Sequence, residues 1–469
     1  MMGRKAAAGA LLAALLPACL RAQEPAALAP KASVDQTAAD EPVTVFTQHP
    51  RLFLRPARLR LLRRERERAS VRWQRFDGFL AANAPMPESG LAQALYYQVS
   101  GNAAAGRRAI AWALGPGADL RQLALVFDWC QELLADSDRR TLIARLQQGM
   151  AKIAGDESIP GVRSRTLAAV ALFDHVAKVP NRELERVVHT WWEGKMAPAL
   201  NQGREVVPRE DAYALWELLH AIRDNTNLDL RESSRKFFKE FPIEHLMSYY
   251  PAVFPGEDND FRIGATTQPG DPDLERAALS RAAELSMVAY DNNAEENQYL
   301  QGWLMHDSFI LRGAFGAPYE FLWANPYQPG LGYSLVPLVY HSAAFGRLYV
   351  RSGWDDSADW FGCFDGTAQL FHEGRRILIN LKIPAAPLML DSALIAWGPG
   401  AMNLHVMLDK QQEAVILAGL APRRVYQVEI DDEEVFEETS DPGGLLVLDV
   451  PHDKQVGVRV RQAPASEPH

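Results

Sequence analysis

The feature that most constrains this chain is a change of hydrophobic period near residue 331. Before it, apolar residues recur at helical spacing in paired segments. After it, they alternate in short runs. Leucines and aromatics from Leu59 to Phe79 lead the helical half. The segment 91–99 stops at Ser100-Gly101-Asn102, and its successor, through Leu114, stops at Gly115-Pro116-Gly117. Further helices are expected over 120–134, 139–150, 164–177, 182–200, 208–223, 233–240, 272–290 and 294–314. Paired helices with short polar turns make an αα array, and the lack of a fixed repeat length favours a closed ring over a solenoid. Alternating segments at 346–352, 360–364, 368–371, 376–381, 406–408, 413–417, 425–430, 445–450 and 456–460 predict strands, punctuated by Asp365-Gly366, Glu373-Gly374 and Pro442-Gly443-Gly444. All helices followed by all strands predicts two domains: an (α/α) toroid over 46–330, then a short antiparallel β-sandwich over 331–465.

The first residues have an export pattern. Arg4 and Lys5 precede an apolar run, 6–16, too short to span a bilayer, and Pro17 with small residues follows. Residues 1–22 are thus expected to be a signal peptide, and 23–45, rich in Ala and Pro, a flexible linker. Cleavage after Ala22 and lipidation of Cys19 are both open, and only the second brings a membrane anchor. Either places the protein in the periplasm or outside the cell. The net charge of −10, without a long basic run, argues against nucleic acid as a partner. Cys130 and Cys363 are read as buried free thiols. With no CxxC or Cys/His cluster, neither a metal nor a cofactor is expected.

Several motifs resemble those of the heparinase II/III-like (alginate-lyase-like) polysaccharide lyases. His49-Pro50-Arg51-Leu52-Phe53-Leu54 resembles their opening segment, and Leu123 to Trp129, with its Asp128-Trp129 pair, resembles a toroid helix. Arg351-Ser352-Gly353-Trp354 resembles the strand that opens their β-domain, Gln369 to Arg376 the strand and turn after it, and Asp391-Ser392 a later Asp with a small residue. The resemblance spans about residues 49–410. It implies a toroid with a β-sandwich and an acidic, uronate-containing polysaccharide or oligosaccharide as substrate. One departure stands out. Where the family carries a His-x-His-x-Asp segment, this chain has Trp360-Phe361-Gly362-Cys363-Phe364-Asp365, with no histidine.

Lytic cleavage needs a group to neutralise the uronate carboxylate, a base, and an acid for the leaving oxygen. Polar residues between helices offer these. The expected catalytic groups are Tyr213, His245 and Tyr250; Arg209, Asn259, Arg262 and Trp192 are the expected substrate contacts. Residues 255–262 are expected to form an irregular loop. Two alternatives remain: a homologue that binds glycan without turnover, and a toroid hydrolase using carboxylates such as Glu210, Asp258 and Asp260.

Overall fold

The computed structural model describes residues 43–46, 48–226, 228–256, 260–307, 313–408, 412 and 414–463. The expected leader and most of the linker lie outside them. Helices α1 (Pro56–Glu67) and α2 (Val71–Ala81) precede α3 (Ser89–Ser100), α4 (Ala103–Leu114), α5 (Leu120–Trp129), α6 (Asp136–Lys152) and α7 (Ile159–Leu172). Then α8 (Val179–Glu185) continues through a π-helical stretch, Arg186–Met196, into α9 (Ala197–Asn201). The helical half ends with α10 (Ala212–Thr226), α11 (Arg235–Met247), α12 (Leu274–Tyr290), α13 (Glu295–His306) and α14 (Gly313–Trp323).

Alternate helices close a ring. α3 packs on α5, α5 on α7, α7 on α10, α10 on α12, α12 on α14, and α14 returns to α3. Composition explains which helices lie inside. α5, α7 and α10 are buried along nearly their whole length, whereas α6 buries only Leu142, Leu146 and Met150, one stripe at helical spacing. Short turns return the chain through an outer helix after each inner one, so the inner helices run in the same direction. Their N-termini gather at one mouth of the ring.

Two differences from the sequence reading have clear causes. The helix expected over 233–240 continues through Pro242 to Met247 as α11, and α14, containing Pro318, lies almost wholly beyond the helix expected to end at 314; a proline inside each segment breaks the helical signal. Residues expected as an irregular loop contribute to a hairpin instead, β1 (Tyr249–Pro255) with β2 (Asp260–Gly264), whose register shifts between Tyr249 and Val253. Two prolines and a broken register hide its alternation.

The C-terminal half stacks three sheets. The first is an antiparallel meander of β3 (Val339–Ser342), β4 (Arg347–Arg351), β5 (Trp360–Phe364), β6 (Thr367–His372) and β7 (Arg375–Ile379). One face carries Tyr349, Trp360, Phe364 and Phe371 into the core of the helical ring. The other carries Leu348, Val350 and Phe361 onto the second sheet. That second sheet is built from β8 (Leu388–Met389), β9 (Ala393–Trp397), β11 (Ala414–Ala418) and β14 (Leu446–Leu448), with β9 and β11 parallel. β10 (Met402–Met407), β12 (Val425–Ile430), β13 (Glu434–Thr439) and β15 (Gln455–Gln462) form the third. The middle strands are covered on both faces, which is why β11 reads Ala-Val-Ile-Leu-Ala without alternation.

The motifs of the resemblance meet in pairs. The backbone N–H groups of Arg51 and Leu52 both donate to Asp128 Oδ2 at 2.9 Å, and Trp129 Nε1 donates to the Leu52 carbonyl at 2.8 Å. Ser392 Oγ donates to the Arg351 carbonyl at 2.6 Å, while Arg351 Nη1 donates to the Tyr249 carbonyl at 2.8 Å. These pairs pin the entry segment to α5 and the first sheet to the ring. The bonds formed by these motif residues are structural.

Candidate functional site

The ring mouth that holds the inner N-termini faces the first sheet, and a cleft of about 540 Å³ opens there. Its floor is aromatic and apolar: Tyr250, Ile263 and Phe371. Tyr250 stacks on Phe371 at 5.0 Å and meets the Trp360 edge at 5.2 Å. Its hydroxyl donates to Gln369 Oε1 at 2.7 Å and accepts the Thr266 N–H at 3.4 Å. Burial pushes the Tyr250 phenol above its ordinary pKa, with the neighbouring Arg376 opposing it.

Three guanidiniums line the cleft. Arg376 comes from β7 and spans the gap to the ring, Nη1 donating to the carbonyls of Thr266 at 3.1 Å and Gln268 at 2.9 Å. Arg276 sits in the first turn of α12 and is exposed. Asp273, which caps that helix, pairs with it at 3.5 Å. Arg209 enters from a short turn before α10. Its side chain points down from the cleft wall: Nε donates to Ser280 Oγ at 2.8 Å, Nη1 to Ser248 Oγ at 2.6 Å, and Nη2 to Glu284 Oε1 at 3.2 Å. Gly264 makes that path possible, because a β-carbon there would fall against the guanidinium.

Beneath the cleft Glu284 is the hub. It is fully buried, accepts Tyr249 Oη at 2.6 Å, and has Arg281 Nε at 3.7 Å and His245 Nδ1 at 3.4 Å. Burial, assisted by Arg209, lowers the His245 imidazole to about 4, so it is neutral near pH 7. His245 is 2% exposed and lies under Arg209, outside the cleft lining.

The remaining sequence candidates sit apart. Tyr213 lies inside the ring, edge-on to Tyr319 at 5.1 Å, its hydroxyl accepting Trp323 Nε1 at 2.9 Å. Trp192 is fully buried, and its indole donates to the Leu230 carbonyl at 2.7 Å and to Ser233 Oγ at 2.9 Å, with no face left for a sugar ring. Arg262 bonds the Pro251 carbonyl and pairs with Asp356 at 2.8 Å and Asp307 at 3.5 Å. Asn259 and Asp258 fall outside the described residues, while Glu210 lines the cleft. Of the expected residues, the cleft gathers Tyr250 and Arg209. Sequence reasoning missed Arg276, Thr266 and Glu284, and met Arg376 and Gln369 only within a motif. A legible signal existed for one of these: Ser280, Arg281 and Glu284 form a polar stripe at helical spacing inside the run 277–290, which is apolar elsewhere except at Ser286.

A second polar centre fills the ring axis. Arg121 Nη2 bonds Glu217 Oε1 at 2.7 Å, and Arg163 bonds Oε2 of the same carboxylate. Burial raises the Glu217 pKa, but the two guanidiniums outweigh it and hold Glu217 below its ordinary value. This is a locked anion, unsuited to proton transfer. Elsewhere, His49, Asp174 and His175 bring ligand-type atoms within 4.8 Å of one another. There the Arg51 guanidinium lies against both His49 Nε2 and Asp174, so a cationic group already occupies that place. Cys130 and Cys363 are both buried and unpaired with each other.

No family model matches the chain, and no curated protein does. A solved structure described as "Glycoside hydrolase" superposes on 80% of this chain and 71% of that one, at 9% identity and a TM-score of 0.32.

Proposed function

We propose that this protein acts outside the cytoplasm on an acidic, uronate-containing glycan bound in the cleft between ring and first sheet, and cleaves it by β-elimination. The observation that carries the reading is the Tyr250 hydroxyl on an aromatic floor, with Arg376 beside it and Arg276 on the rim. A flat apolar floor suits a sugar ring, and arginine forks suit its carboxylate. The α12 N-terminus adds a favourable end for an anion. In the proposed reaction the Glu210 carboxylate, in the cleft lining, takes the C5 proton, and the electron pair of the broken C5–H bond forms the C4=C5 bond. The C4–O4 bond breaks, and Tyr250 transfers a proton to the departing O4. The arginines stabilise the carboxylate as charge builds on it. The export pattern of residues 4–22 supports action beyond the inner membrane.

A second reading, glycan binding without turnover, is favoured by one observation: among the described residues no histidine lines the cleft, and His245 is sealed beneath it. Incubation with a panel of acidic polysaccharides, followed by the ultraviolet absorbance of unsaturated uronates, separates the two. The first reading predicts growing absorbance, slowed on the order of 10²-fold by Tyr250→Phe while binding persists. Binding without absorbance or new reducing ends supports the second. Reducing ends without absorbance indicate hydrolysis, and absence of binding rejects the cleft as a glycan site.

A further inference from the structure

A second cavity, of about 580 Å³, opens at the other mouth of the ring. Asp224 and Asn225, at the C-terminal end of α10, line it, whereas Arg209 and Glu210 before the start of α10 line the cleft. A 15-residue helix therefore separates them, a distance of about 20 Å. The walls carry Arg51, Arg55, Arg60 and Arg63. Arg51 is committed to Asp174 at 2.6 Å. Among the described residues, Arg55, Arg60 and Arg63 form no ion pair. Arg63 bonds the Gln98 carbonyl at 3.1 Å, and Arg55 lies over the Phe46 ring at 5.4 Å. The single carboxylate in the lining, Asp224, is held by Arg223 at 2.9 Å and by His220 at 3.7 Å. α1 also begins in this cavity, with Arg55 providing no side-chain cap and no acidic residue in the first turn.

Three guanidiniums around one hollow, with no carboxylate partner among the described residues, are unexpected in a chain of net charge −10, where carboxylates are abundant. Such a one-signed hollow focuses positive potential and raises the local concentration of anions. All are arginines, whose forks match planar or tetrahedral oxyanions in two-point contact. The cavity is concave, which suits a discrete ligand better than a flat lipid surface. Phe46, 44% exposed beside Arg55, offers a face for a sugar ring.

We propose that this cavity is a second binding site, for the carboxylate or sulfate groups of an acidic oligosaccharide, held by Arg55, Arg60 and Arg63. The oxyanion chemistry stands on the cavity alone; its bearer being a glycan rests on the function proposed above. Arg55 and Arg60 are exposed, so their replacement leaves the fold intact. Calorimetric titration of the full chain with a uronate trisaccharide tests the proposal. Two binding events are expected. Arg55→Ala/Arg60→Ala weakens one of them at least tenfold, roughly the loss of one charge-assisted pair, and Arg276→Ala with Tyr250→Phe weakens the other. If only the Arg55→Ala/Arg60→Ala pair weakens binding, this site stands and the cleft reading fails. If that pair leaves the isotherm unchanged, the proposal is overturned. It is equally overturned if the pair abolishes attachment to phosphatidylglycerol vesicles and leaves trisaccharide binding untouched.

Discussion

Glu217 is the residue whose removal should cost the ring most. Its carboxylate is fully buried between Arg121 and Arg163, so Glu217→Gln removes the charge that holds the buried Arg121 and the half-buried Arg163 side by side. Breaking such a buried pair costs about 3–5 kcal/mol. Urea unfolding of the variant should show a loss of that size; a loss under about 1 kcal/mol would mean that water, or Glu88, which also pairs with Arg121 at 2.7 Å, compensates. His245 gives the molecule an acid-side liability. Its folded pKa of about 4 lies below the ordinary 6.5, so the unfolded chain takes up a proton that the folded chain refuses. Stability from this group is complete above pH 6.5 and is lost as pH falls toward 4. His245→Gln should flatten the fall in melting temperature across that window, and an unchanged slope would assign the fall to other groups. Neither residue announced its setting in sequence. Glu217 sits in an apolar helix where a lone acid looks like a surface position, and its two arginine partners lie 96 and 54 residues away. Tyr250 and Arg209 were legible because they stand in polar stretches between helices. Tyr213 and Trp192 drew attention for their chemistry but serve packing.

Elements were legible where their apolar pattern was one-sided. α6 shows a single stripe, and β12, buried at alternate positions, shows period two. β9 and β13 escaped notice for opposite reasons. β9 is covered on both faces and does not alternate, and β13 is an exposed edge rich in glutamate. The hairpin of β1 and β2 and the toroid-facing side of β5 belong together in space although about 100 residues separate them. Their link is Trp360, fully buried, whose Nε1 donates to the Met247 carbonyl at 2.9 Å while its ring meets Tyr250. Trp360→Ala opens a large void at that contact and should cost about 3–5 kcal/mol. Because the Tyr250 ring loses its neighbour, glycan binding in the cleft should weaken in the folded variant as well. A folded variant with unaltered binding would show that β5 does not support the cleft floor.

At the scale of the whole molecule, the helix-to-strand order was enough to anticipate a ring joined to a β-domain. The third sheet, and which mouth of the ring meets the β-domain, were not. Those depend on which strand faces are covered twice and on which ends of the inner helices the first sheet meets. Ring closure gathers the inner N-termini at the cleft, where three arginines stand among Glu210, Asp271 and Asp273, and leaves Arg55 and the arginines of α1 at the opposite mouth, so an acidic chain presents one basic hollow besides a cleft of mixed charge. The central claim is that the hollow between ring and first sheet is where an acidic glycan binds. Hydrogen exchange of the full chain with and without a uronate oligosaccharide reads this out residue by residue. The account predicts joint protection of β1, β2 and the turn joining β6 to β7, with or without further protection at the start of α1. Protection confined to α1, or none anywhere despite saturation with the oligosaccharide, would contradict it.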